Sequence, residues 1–297
     1  MSMVAVVGAS VGATACYALS TALKHRSTAT VPETAGLAPH KLFRFATATA
    51  RHPLYLAAIL AGTVGLALQV LALHIGALSV VQPLLTTALL FSLIAAHRIA
   101  GTRISARELR WGAMLVVALV GFMLAAGTVH AHLSPHAQQA DRVPAVLAGV
   151  LALTLATSCV LTSRRLPRGG AAALMGVAVG TLHACGAALI KSCTNVATSG
   201  VVALLTSWQL YLFLLAGGAG LLLTQLAFQA GPLSASLPAI TTVDPLLSVV
   251  IGVWVYDERL KGGPGSVLTE VLCLVLLSVS AVRLSRVQAA AEQPSCA

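Results

Sequence analysis

An aspartate, a histidine, three glutamines and a threonine inside long apolar runs are the side chains of this sequence best placed to do chemistry. Asp244 stands ten residues past Ser234, about 15 Å along a helix, near the middle of any bilayer that helix crosses. A carboxylate there adds roughly 2.5–3.5 kcal/mol to the cost of insertion. Facing a cavity or a polar partner lowers that cost; facing lipid does not. Pro245 follows and withdraws a backbone donor beside the carboxylate. Two readings of Asp244 stand: a site for substrate, cation or proton, and a hydrogen-bonded aspartate that holds a kink. His183 is twelve residues past Ala171, about 18 Å into its own run. It reads either as one member of a proton relay with Asp244 or as a hydrogen-bond donor between helices. Gln69, Gln225, Gln82 and Thr241 complete the candidate cavity, each with a plain role in joining helices as its alternative.

Long apolar helices must carry these residues. The 297-residue chain is 58% hydrophobic and 9% charged, with a mean hydropathy of +0.91. A soluble domain has about 25% charged residues, so the solvated surface of a soluble fold is missing and the chain reads as an all-α polytopic membrane protein. Apolar runs long enough to cross about 30 Å of hydrocarbon fall at 3–23, 54–74, 77–97, 111–129, 143–162, 171–190, 208–228, 234–256 and 266–283, which makes nine transmembrane helices. The net charge of +10 sits in short connections between these runs. That is the pattern of a membrane protein rather than of a nucleic-acid binder.

The stretch from 54 to 97 returns near residue 210. Leu54-Tyr55-Leu56, Gln69, Gly76-Ala77-Leu78-Ser79 and Pro83 are answered by Leu210-Tyr211-Leu212, Gln225, Gly231-Pro232-Leu233-Ser234 and Pro238. The offset is 156 residues before the turn and 155 after it. Upstream, Gly8 and Gly12 are echoed by Gly176 and Gly180, small residues four apart that let helix backbones approach in a membrane. Pro83, Pro238 and Pro245 are the expected kink positions. The chain therefore divides into a first repeat half (1–129), a bridging helix (143–162), a second half (171–284) and a tail (285–297). Helices 1–4 and 6–9 are matched across a displacement of five, an odd number, so the two four-helix repeats are inverted and helix 5 bridges them.

Connections on one side of the nine helices hold fourteen of the eighteen basic residues and those on the other side hold four. The excess marks the cytoplasmic side, which puts the N-terminus outside and the C-terminus in the cytoplasm. Lys191 and Glu270 lie near the outer halves of their helices and read either as further polar candidates or as side chains that reach back to the interface. Asp257, Glu258, Arg259 and Lys261 read as a solvated outer ion-pair network. Lys41 to Phe45 reads as a basic surface helix or a loop, and His130, His132 and His136 as a solvated loop or a weak metal site. The six cysteines have no metal-ligand spacing and read as packing residues.

The sequence resembles the drug/metabolite transporter superfamily, and within it the nine-helix NIPA-like magnesium-transporter branch and its bacterial members. Pro53-Leu54-Tyr55, Gly62, Gln69, Ala72, Gly76 and Leu78-Ser79-Val80-Val81-Gln82-Pro83-Leu84 carry the likeness in the first half. Gly231-Pro232-Leu233-Ser234, Pro238 and Asp257-Glu258-Arg259-Leu260 carry it in the second. The resemblance implies two inverted halves around a central cavity, with metabolites, drugs or magnesium as substrate. Ordinary members have ten helices, so this chain fits the loss of a first one.

The expected function is secondary transport of a small solute, with proton coupling open and a magnesium or other divalent-cation transporter or channel as the alternative. Asp244 and Glu270 are the acidic candidates inside the helices, which is sparse for a bare magnesium ion that prefers six oxygens. No phosphate-loop, dinucleotide or haem motif occurs, so neither an enzyme nor a cofactor is expected. The expected partners are the solute and the lipid bilayer, with no nucleic acid, and a homodimer is left open. Strong alanine and arginine usage suits a bacterial genome rich in G and C, and the expected location is the bacterial plasma membrane.

Overall fold

The computed structural model describes residues 3–30, 53–100, 104–125, 142–231, 233–258 and 264–292, all of them helical or in short connections. In chain order the helices are α1 (Met3–Thr30), α2 (Pro53–Ile75), α3 (Leu78–Leu85), α4 (Ala88–Ala100), α5 (Ala106–Ala125), α6 (Arg142–Ser163), α7 (Arg168–Ala197), α8 (Val201–Leu205), α9 (Trp208–Ala230), α10 (Leu233–Val255) and α11 (Pro264–Glu292). Eight of these are long and apolar enough to cross a membrane. The basic segment 41–45, the loop histidines and Cys296 lie outside the described residues, and the other five cysteines are free.

The third expected span, 77–97, is not one helix. It divides at Thr86-Thr87 into α3 and α4, and Pro83 is the physical cause. Having no N–H, it leaves the Ser79 carbonyl without its helical donor. Past the proline the chain tightens: Thr86 N–H donates to the Pro83 carbonyl at 3.2 Å, and Thr87 N–H to that of Leu84 at 3.1 Å. The Thr86 and Thr87 hydroxyls bond the same two carbonyls at 2.6 and 2.7 Å, so the break is satisfied from within. In α10, Pro238 and Pro245 are both inside a helix that continues through them.

Helix α7 is the hub, packing on α10, α9, α6 and α2. Gly176 lies against the Ser236 carbonyl and Ala239, and Gly180 against Ile240, Val243 and Asp244, so α7 and α10 run in the same direction. Helices α1 and α2 run oppositely, with Val6 on Gly76, Leu68 on Gly12, and the Ser20 hydroxyl donating to the Ala58 carbonyl at 2.7 Å. Helices α5 and α11 also run oppositely, from Arg283 over the Trp111 ring to Cys273 on Gly121. Helices α6 and α9 lie at the periphery. Val146, Val150 and Leu153 of α6 and Leu214, Leu221 and Leu222 of α9 are exposed, an apolar surface suited to lipid.

Candidate functional site

Two polar groups are built into this bundle, one at the end where α2 meets α3 and one midway along α10. The first centres on Glu258. After α10 the chain hooks back: the Gly252 carbonyl accepts from Tyr256 N–H at 3.3 Å and from Glu258 N–H at 3.1 Å. Asp257 turns the corner at φ 47°, a left-handed conformation that aspartate tolerates better than most residues. The hook tucks the Glu258 side chain, 4% exposed, under the start of α3. One carboxylate oxygen accepts from Leu78 N–H at 2.6 Å and the other from Ser79 N–H at 2.8 Å.

Those two N–H groups have no acceptor within α3, and Ala77 offers no side-chain cap. Glu258 thus caps a helix of the other half of the chain with a full negative charge at the positive end of its dipole. Lys191 of α7, 3% exposed, forms an ion pair with the first oxygen. Its ammonium also stands 4.8 Å from the centre of the Tyr256 ring. The Tyr256 hydroxyl donates to the Ala188 carbonyl at 2.6 Å and shares a hydrogen bond with Ser192 at 2.8 Å. Gly252 completes the clasp, because a Cβ there would overlap the carboxylate. Beside it, Leu73 and His74 of α2 and Lys191, Thr194 and Asn195 of α7 line a small depression.

This geometry corrects two expectations. Lys191 does not reach back to the interface but is buried on Glu258, and Glu270 is likewise buried at 4% exposure, with one oxygen unpartnered. Glu258 does not belong to a solvated network, while Arg259 and Lys261 lie outside the described residues. Sequence reasoning missed the clasp because its parts are 67 and 180 residues apart. The available signal was an acidic residue just after a helix together with a lysine inside an apolar one. Glu108, 4% exposed, was missed as well: Ser105 N–H donates to its carboxylate at 2.7 Å and Glu108 N–H to the Ser105 hydroxyl at 3.2 Å, a reciprocal cap that starts α5.

If Tyr256 serves the clasp mainly through its hydroxyl, Tyr256→Phe keeps the ring over Lys191 and removes the bonds to the Ala188 carbonyl and to Ser192. A loss of about 0.5–1.5 kcal/mol follows, measurable as a lowered unfolding midpoint in detergent. No change would mean that the ring alone matters.

The second group surrounds Asp244. Ser248 donates to its carboxylate at 3.4 Å, and Gly180 brings α7 up to its backbone N–H. Pro245 leaves the Thr241 carbonyl without its helical donor. The Thr241 hydroxyl turns back to the Leu237 carbonyl at 2.9 Å, and the Thr242 hydroxyl is buried without a partner. On α3, the Gln82 amide nitrogen and the Ser79 hydroxyl are also buried and unpartnered. A Cβ at Gly252 would stand 3.1 Å from Ser79 N–H, so α3 and α10 lie side by side from that level. The break at Thr86-Thr87 and Asp244 are then both about 10–12 Å further along.

The other expected residues are distributed more widely. His183 is exposed on α7, its ring against Gly220 of α9, and it shares no hydrogen bond with Asp244. Gln69 accepts from the Tyr17 hydroxyl at 2.6 Å, tying α2 to α1. Gln225 is in α9, with its side chain outside what is described. Pro83, Pro238 and Pro245 are buried in α3 and α10. Gly12, Gly176 and Gly180 sit at close helix contacts, whereas Gly8 is exposed with open space where a Cβ would stand. Among the described residues no group of three or more histidine, cysteine or acidic side chains is arranged to hold a metal.

An uncharacterized protein of Corynebacterium glutamicum is 28% identical over 270 residues, covering 91% of this chain and 90% of its own length. No family model matches the chain, and no solved structure matches it. Sequence and structure together show a polytopic membrane protein that is all-α among the described residues, with eight helices long and apolar enough to span a bilayer.

Proposed function

We propose that the chain is a secondary transporter of the drug/metabolite type, moving a small solute across a bacterial plasma membrane by alternating access between two inverted four-helix halves. The observation that carries this reading is the behaviour of the matched helices at the clasp end. There α2 ends and its counterpart α9 begins just beyond α8; α3 begins and its counterpart α10 ends. Likewise α1 begins there, with Val6 on Gly76, while its counterpart α7 brings Lys191. Opposed repeats of this kind let one conformation become the other by exchange of roles between the halves.

Helices broken near the midplane with unpaired backbone and side-chain groups are where such proteins hold substrate. The α3–α4 break, Gln82, Thr242 and Asp244 form the best candidate. In this reading the clasp end is outside and the C-terminus cytoplasmic, an orientation that the distribution of basic residues favours. Asp244 is the coupling carboxylate.

A thermal-shift screen of the purified protein against metabolites, amines and divalent cations is the first test, since a ligand at a hundred times its Kd stabilises by about 2.7 kcal/mol. A magnesium response would favour the cation alternative. With a ligand in hand, Asp244→Asn in proteoliposomes is expected to abolish gradient-driven uptake while leaving counterflow. Unchanged proton or cation dependence in both assays would remove Asp244 from coupling, and absence of counterflow by the wild type would remove transport itself.

A further inference from the structure

Through its two backbone bonds the clasp bridges the two halves that alternating access would have to separate. Its acceptor is on the hook after α10 and its cation on α7, both in the second half, while its two backbone donors open α3 in the first. We propose that Glu258, Lys191 and the first turn of α3 form the latch of the outer gate, and that the structure is the outward-closed state. This rests on the transport reading but concerns a different step, the opening of one face rather than the binding of solute.

A structural pin would need only one strong contact, and this one is built for reversal. Glu258 and Lys191 both belong to the second half, so the pair stays together when α3 withdraws and neither is left as an unpaired buried charge. The α3 N–H groups are likewise free to bond water once the carboxylate withdraws. The hinge elements are the hook held on the Gly252 carbonyl on one side and, on the other, α3, a two-turn helix joined to α4 by the tightened turn at Thr86-Thr87. The depression lined by His74 and Asn195 lies directly over Lys191 and marks where the outer vestibule would open.

Spin labels on His74→Cys and Asn195→Cys, in the full-length chain with its six native cysteines replaced by serine, report the α2 to α7 distance with no solute required. One short-distance population is expected with the latch intact. Glu258→Gln, which removes the charge, is expected to add a second, longer-distance population. The double variant Lys191→Met with Glu258→Gln leaves no buried charge, guards against a misfolded single variant, and is expected to do the same. If both variants elute as the parent does and keep its single distance, the latch is overturned, even where transport is lost. If the distance lengthens and no solute is ever moved, the latch stands and the transport reading falls.

Discussion

Lys191→Met is expected to lower stability by about 3–5 kcal/mol, the range for removing one partner of a buried ion pair. The size follows from what is left behind. Glu258 would remain 4% exposed, still bonded to Leu78 and Ser79 N–H but with its charge no longer neutralised. The methionine would keep most of the lysine's volume, so packing on the Tyr256 ring is preserved and the loss reports on charge. Adding Glu258→Gln should return part of it, because no buried charge then needs a partner, although the amide oxygen can accept from only one of the two α3 N–H groups. Denaturant titration of the four members of this cycle checks the claim. Additive losses in the two single variants would show that the pair is not coupled.

The second large effect is expected at the α7–α10 contact. A Cβ at residue 176 would stand 2.6 Å from the Ser236 carbonyl oxygen and 2.9 Å from the Ala239 Cβ, neither of which is the movable end of a long side chain. Gly176→Leu must therefore push the helices apart, at about 1–3 kcal/mol or more for overpacking. At Gly180 the same push would fall on the turn that carries Asp244, with Ile240 O at 3.1 Å and Asp244 N at 3.2 Å. Gly186 of the same helix has nothing within 4 Å of a Cβ. Gly186→Ala should then stabilise by about 0.5–1 kcal/mol through helix propensity. Unfolding midpoints of Gly176→Leu and Gly186→Ala test this. If Gly176→Leu and Gly186→Ala behaved alike, close backbone approach would not be what holds α7 to α10.

Most of the helices were legible because the bilayer imposes a simple rule on sequence. A spanning segment must satisfy its backbone internally and present apolar side chains for about 20 residues. The runs at 54–74, 143–162 and 208–228 accordingly reappear as Pro53–Ile75, Arg142–Ser163 and Trp208–Ala230. Rises in polarity misled at helix ends. Helix α7 runs on past Lys191 to Ala197 because that lysine finds its partner inside the protein. The continuous span expected at 77–97 failed for a different reason. Hydropathy does not register a missing N–H, and Pro83 acts through the backbone while the flanking leucines keep the run apolar.

The sequence by itself determined that this chain lives in a membrane, where most of its helices lie, and that its halves share a pattern, since composition and spacing are local properties that the bilayer reads directly. It also singled out Asp244 and its proline, because a charge inside an apolar run is costly wherever it points. Only the tertiary structure decided which charges are paired. Glu258, Lys191 and the first two amides of α3 become one site through a hook at Asp257 and the packing of α3 against α10, contacts that join residues up to 180 positions apart. Burial of a charge is a property of the neighbours it meets, and those are fixed only when the helices assemble.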